Sequence, residues 1–264
     1  SLAKRIFLST VFNTIFYITI CIYQPYLLYI ILMSLSSDKI KELYEKFVKV
    51  NYTDEYKNRY VPLPLEKNNK RWKWEGKDFP RVISLLEFET YIKKYNFDIE
   101  KLLIFNGEED PEIEYLKGRY KSYLNVNYHD NEERYDLHSL QLKQKNFDFC
   151  ILSQTLEHVY NPSLCLKNIK KYLADDGYLY INVPACNAPH SEPFHYYIGY
   201  TPMGLAALAE ENGYKIKEIG QWGNEEYLVK LWTRNPGWSE YRQLANPGVN
   251  EIENPVITWA LLQK

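Results

Sequence analysis

The side chains best suited to proton chemistry in this chain fall in two short stretches. Glu157 and His158 are adjacent, and residues 184–200 hold Asn187, His190, Glu192, His195, Tyr196 and Tyr197. A neutral imidazole is well matched to proton removal near neutral pH, so His195, His190 or His158 can act as a general base toward a substrate hydroxyl or amine. A plainer role is open to Glu157 and His158, which on a short helical turn would fix their loop by hydrogen bonds. His190, Glu192 and His195 match no metal-ligand spacing, and no metal is expected. Cys21, Cys150, Cys165 and Cys186 form no Cys-x-x-Cys pair and read as buried free thiols. A further concentration of charge, Glu108, Glu109 and Asp110, follows Asn106 and Gly107. Acids there either stabilise a helix start or meet a cationic group of a ligand.

Strands and helices must place these groups. Residues 147–152 are a short, mostly apolar run, as expected of a strand buried on both faces of a parallel sheet. Ser153, Gln154 and Thr155 follow at its carboxyl end, where open α/β sheets bind ligands. Asn161 is placed to cap a helix begun by Pro162, with Leu166, Ile169 and Leu173 on one face and Gly177 closing it. Residues 178–183 read as the next strand. Upstream, 102–105 is an apolar strand, Asn106 and Gly107 a turn, and Asp110-Pro111 a helix start; a second strand, 123–128, carries Asn127 at its end, with Asp130 slightly later. Downstream, Thr201-Pro202 begins a helix with Leu205, Leu208 and Ala209 on its face and Gly213 at its end. Strands follow at 214–222 and 255–264, with 223–254 inserted between them. A helix at 80–95 is expected to cover one sheet edge. Alternation of this kind predicts an α/β domain.

The segment containing Phe147, Asp148, Leu156, Glu157, His158 and Val159 resembles the fourth strand and following turn of class I S-adenosylmethionine-dependent methyltransferases. The resemblance covers roughly 98–264 and is best over 135–223. It implies a seven-stranded Rossmann-like sheet with helices on both faces and an antiparallel last strand. It also implies S-adenosylmethionine as cofactor, held near Asn106, Gly107 and Glu108, Asn127, Asp136 and Leu137, and Ser153, Gln154 and Glu157. Asp136 stands where the family meets the adenine amino group. Two positions depart from the family: only Gly107 remains of its Gly-x-Gly corner, and Asn127 replaces the usual ribose-binding acid. The implied reaction is methyl transfer to an oxygen or nitrogen of a small hydroxylated acceptor, such as a sugar, with His195, His190 and His158 as catalytic candidates. A fold whose cofactor site has decayed, now binding or scaffolding a partner, is the alternative. A nicotinamide dehydrogenase is disfavoured, because no Gly-x-Gly-x-x-Gly follows the first strand.

The chain has 264 residues, 45% hydrophobic and 25% charged, with a formal net charge of -2, which gives no support for a nucleic-acid surface. Residues 6–37 contain no charged side chain, and the apolar stretch 6–33 is long enough to cross a bilayer, which takes about 20 residues. The expected organisation is therefore an apolar segment and possible anchor (1–33), a helical extension (34–97) and the methyltransferase domain (98–264). The expected location is cytoplasmic, or membrane-attached through 6–33 if that segment is native; Met33 is a rival start. Within the extension, 38–50 reads as an amphipathic helix and 70–74 as a basic aromatic patch. Trp222, Trp232 and Trp238 either wall a substrate pocket or cover the sheet.

Overall fold

The computed structural model describes residues 35–62, 77–105, 110–127, 136–192, 198–233 and 238–264. Expectations for 6–33 and 70–74 lie outside these residues. The chain divides into an amino-terminal unit, Ser1–Lys39, and a larger one, Ile40–Lys264. No helix among the described residues is long and apolar enough to cross a membrane.

Apolar runs separated by helical stretches give a mixed sheet. Its strands are β1 (Ile99–Phe105), β2 (Tyr120–Val126), β3 (Phe147–Ser153), β4 (Leu173–Pro184), β5 (Lys215–Trp222) and β6 (Ile257–Gln263). Their order is β2-β1-β3-β4-β6-β5, with β1 to β4 parallel and β6 antiparallel to both neighbours. The described sheet has six strands, not the expected seven. A further parallel strand with its crossovers would have to lie between Val126 and Phe147, and each crossover needs roughly a dozen residues. The described residues of that stretch hold a 3-10 turn, Leu137–Ser139, and no strand.

Helix α1 (Ser37–Phe47) and the single turn α2 (Asp54–Lys57) precede α3 (Phe79–Tyr95). Helix α3 covers the middle of one sheet face, not an edge. Phe88 lies 4.3 Å from the Tyr180 ring of β4 and 6.2 Å from the Phe149 ring of β3, while Phe79 meets Trp222 edge-on at 5.0 Å. The reason is apolar area: Phe79, Val82, Ile83, Leu85 and Phe88 are all fully buried, and an edge would leave half of them in water. Trp222 is likewise core, packed on Tyr227 of α7 (Glu225–Thr233).

The opposite face is covered by α5 (Pro162–Lys170) and α6 (Pro202–Glu211), whose Leu166, Ile169, Leu205 and Ala209 share a core with Leu152, Ile181 and Leu262. Both helices start as their sequences predict. Asn161 accepts from the Leu164 amide at 3.1 Å and Thr201 from the Gly204 amide at 3.2 Å. The end of α5 differs from expectation. It stops at Lys170, and Leu173 and Gly177 belong to β4. Gly177 sits where the β3–β4 register shifts, and a Cβ there would lie 2.8 Å from the Phe147 carbonyl oxygen. Glycine is required by that close approach of backbones, not by a helix cap. Helix α4 (Pro111–Leu116) follows Asp110, which makes no side-chain cap bond.

Candidate active site

At the carboxyl ends of β1, β3 and β4 the chain assembles a buried polar cluster around Arg81, a residue of α3. Its guanidinium donates to both oxygens of Glu112, at 2.5 and 2.7 Å, to Asn182 Oδ1 at 3.0 Å and to Asp110 Oδ1 at 3.3 Å. Glu112 is fully buried and also accepts from Ser153 Oγ at 3.0 Å. Gln154, directly after β3, has a left-handed backbone (φ 47°); its amide donates to the Asn182 carbonyl at 2.8 Å and its side-chain nitrogen to Asn182 Oδ1. A non-glycine residue in that region carries strain that persists only where surrounding contacts enforce it.

One guanidinium here faces two carboxyl groups, and the second is poorly placed. Burial pushes the Asp110 carboxyl up to about 8, repulsion from Glu112 adds to this, and Arg81 opposes it. Asp110 Oδ2 and Asn182 Nδ2 are buried with no hydrogen-bond partner among the described residues. Polar atoms left so are costly unless a ligand or water meets them.

Beyond Gln154 the chain makes a 3-10 turn, Leu156–His158. Glu157 is 1% exposed, and burial pushes its carboxyl up to about 8. Its Oε2 has no hydrogen-bond partner among the described residues, and its Oε1 lies 3.8 Å from His158 Nε2. The His158 ring meets the His190 ring at 4.9 Å and 82°. His190 Nδ1 lies 2.8 Å from the Ala188 carbonyl, which can only accept, so Nδ1 carries a proton. Trp238, 43% exposed, stands 5.8 Å from His190 and donates to Asn187 Oδ1 at 2.8 Å.

Asp136 and Leu137 lie on the turn before β3. Asp136 Oδ1 accepts from the His138 amide at 2.9 Å and lies 2.6 Å from His138 Nδ1, while the Asn161 amide donates to His138 Nε2 at 3.3 Å. A nitrogen that accepts from an amide carries no proton, so Nδ1 donates to Asp136. His138 stacks on Tyr160 at 3.8 Å. Leu137 is buried, and its carbonyl accepts from Asn168.

The fold therefore brings Ser153, Gln154, Glu157, His158 and His190 to adjoining strand ends and places Asp136 and Leu137 on the turn tied to Tyr160 and Asn161. Asn127 lies just past the carboxyl end of β2. Asn106, Gly107, Glu108 and His195 lie outside the described residues. Sequence reasoning missed Arg81, Glu112 and Asn182. A signal was present: within the otherwise apolar start of α3, Arg81 and Glu87 are the sole charges, and both are paired, Glu87 with Arg59 at 2.8 Å and Tyr60 at 3.0 Å.

Compared with known proteins, a family model described as a methyltransferase domain matches residues 105–235. A search of curated protein sequences gives no match. Among solved structures, the N-methyltransferase NodS from Bradyrhizobium japonicum WM9, in complex with S-adenosyl-L-homocysteine, is 14% identical with a TM-score of 0.47, over 78% of this chain and 98% of that one. An S-adenosylmethionine-dependent methyltransferase from Archaeoglobus fulgidus is 17% identical with a TM-score of 0.46, over 70% and 94%. The [4+2]-cyclase SpnF is 13% identical with a TM-score of 0.46, over 69% and 81%.

Proposed function

Starting from a chain that belongs to the class I S-adenosylmethionine-dependent methyltransferases, we propose that it moves a methyl group to an oxygen or nitrogen of a small hydroxylated acceptor, with a sugar as the favoured class. The observation that carries this reading is the meeting of His158 and His190 at 4.9 Å beside the carboxyl ends of β3 and β4, with Trp238 against His190. An exposed aromatic face beside imidazoles suits a ring that is apolar on its faces and hydroxylated at its rim.

S-adenosylmethionine, when bound, supplies a methyl group on a good leaving sulfur. The residues present fit it. Asp110 Oδ2 and Asn182 Nδ2 are a buried acceptor and a buried donor without partners among the described residues, suited to the ammonium and carboxylate of a methionine end. Asp136, 44% exposed, retains acceptor capacity for an adenine amino group. Asn106, Gly107, Glu108, Asn127, Leu137, Ser153, Gln154 and Glu157 complete the proposed cofactor set. The protein's part in the reaction is positioning, with base assistance from a loop histidine.

Methyl transfer from labelled cofactor to candidate sugars tests the acceptor. His195→Ala should lower turnover by about 10²–10⁴-fold with cofactor affinity unchanged; turnover within about threefold would remove it as base. Calorimetry with S-adenosylhomocysteine separates this reading from a second, a non-catalytic scaffold, which the acids at 108–110 in place of a Gly-x-Gly corner favour. Heat of binding that falls roughly ten- to a hundredfold in affinity in Asp136→Ala supports the enzyme, and no heat supports the scaffold. Membrane attachment through residues 6–33 is part of the same proposal: the full chain should then stay in the membrane pellet through an alkaline wash.

A further inference from the structure

We propose that Glu157, His158 and His190 form a binding site for one first-row divalent transition ion, of the kind that takes two imidazoles and a carboxylate. One ligand atom from each of the three lies within 4.8 Å of the others. Around a single ion at about 2.1 Å from each ligand, donor pairs stand roughly 3–4 Å apart; Glu157 Oε1 and His158 Nε2 already stand 3.8 Å apart.

Three further observations point to an ion and not to packing alone. The Glu157 side chain is nearly fully buried, yet its Oε2 has no hydrogen-bond partner among the described residues. A carboxylate so placed is costly unless a cation meets it. His190 donates its Nδ1 proton to the Ala188 carbonyl, so Nε2 is the ring nitrogen that would ligate. Ligating histidines are held in this way, with the second nitrogen donating to a carbonyl or carboxylate that fixes tautomer and ring angle. The two imidazole planes stand at 82°, so they approach edge to face instead of stacking flat.

Two histidines and one carboxylate suit zinc, iron or cobalt better than magnesium or calcium, which prefer all-oxygen sets. Three protein ligands leave at least one position for water or a substrate oxygen, as catalytic zinc sites do. Resting on the methyl-transfer reading above, that position would take the acceptor's hydroxyl and lower its pKa. The ion would occupy His158 and His190, so the base role would fall to His195. The sequence spacing concealed the site, because its members come from a 3-10 turn and from the loop after β4, brought together by the pairing of β3 with β4.

The test uses the full chain, stripped by chelator and titrated with Co²⁺ by calorimetry and visible absorption. The expected result is one ion bound per chain, with the ligand-field bands of a low-symmetry site and proton release on binding. His190→Ala and the isosteric Glu157→Gln should each weaken Co²⁺ binding at least about tenfold. The cooperative thermal transition followed by circular dichroism, measured in parallel, reports whether each variant folds. Failure of the wild-type chain to bind Co²⁺ stoichiometrically overturns the site, as does binding unchanged in both variants. Co²⁺ bound without any S-adenosylhomocysteine binding sustains the metal site and removes only its role toward a methyl acceptor.

Discussion

Arg81 sets the charge balance of the candidate site. It holds Glu112 by two bonds and Asp110 by one longer contact, so the cluster contains more acid than base, and Asp110 is the group held neutral. A carboxyl raised to about 8 from 3.8 stabilises the folded state fully below the unfolded value, and that contribution is lost as pH climbs toward 8. In thermal or urea denaturation Asp110 should therefore contribute a fall in stability over roughly pH 4 to 8 of at most about 1.4 kcal/mol per unit, in addition to that from Glu157, whose carboxyl is raised likewise. In Asp110→Asn that slope should flatten; an unchanged slope would mean that Asp110 ionises freely. Arg81→Ala should cost about 3–5 kcal/mol, because it leaves buried Glu112 without its cation, and a loss under about 1 kcal/mol in denaturant titration would show the cluster to be solvated. At this scale the sequence was informative about neighbours and silent about distant partners. Asn161 and Thr201 act on amides three residues away and were legible as caps. Asp110 looked like another cap, but the guanidinium of Arg81 on α3 competes for its carboxyl, and no local pattern reveals a partner that distant in sequence.

Among the elements, the strands were legible because β1 and β3 are rich in Leu, Ile and Phe and residues 178–183 of β4 in Tyr, Leu, Ile and Val, and helices α5 and α6 because each begins with an oxygen-bearing cap followed by proline. Less legible was where an element ends. Leu173 keeps helical spacing with Leu166 and Ile169, yet it starts β4, since pairing with Phe147 across the sheet satisfies its backbone. Gly177 then marks a close backbone approach, so Gly177→Ala should destabilise by more than the usual strand substitution, and the shift in melting midpoint measures it. Helix α3, expected at an edge, packs on the face of the sheet. Its first half, residues 79–88, is mostly apolar and buried on nearly all sides, in a core that also contains Tyr60, Tyr227 and Tyr241. Phe88→Ala should cost about 3–5 kcal/mol, as a fully buried aromatic does; a smaller loss in chemical denaturation would mean that α3 is only loosely seated.

For the whole molecule, the place where the folding unit begins matters most. The resemblance starts near residue 98, and the family match runs over residues 105–235. Yet the core that includes Ile104, Phe149, Ile151, Tyr180 and Trp259 is completed by Phe79, Val82, Ile83, Leu85 and Phe88 of α3. The chain before α3 contributes as well: Arg59 and Tyr60 bind Glu87, and the Asn250 amide donates to the Lys57 carbonyl at 2.9 Å. These segments supply packing and hydrogen bonds to the sheet domain, and α3 also brings Arg81 to its site. Truncation therefore discriminates sharply. A chain starting at Ser34 retains all of these groups and should unfold cooperatively, with the melting midpoint and S-adenosylhomocysteine affinity of the full chain. A chain starting at Asp98 uncovers much of one face of the sheet and leaves Glu112 without Arg81. Removing five fully buried side chains forfeits roughly 1.5–3 kcal/mol each, which together approach the entire stability of a domain of this size, about 5–15 kcal/mol. It should be unfolded or aggregated, without a cooperative transition by circular dichroism. A folded chain from Asp98 that binds S-adenosylhomocysteine would show that α3 is an ornament on a self-sufficient domain and that Arg81 has no part in the site.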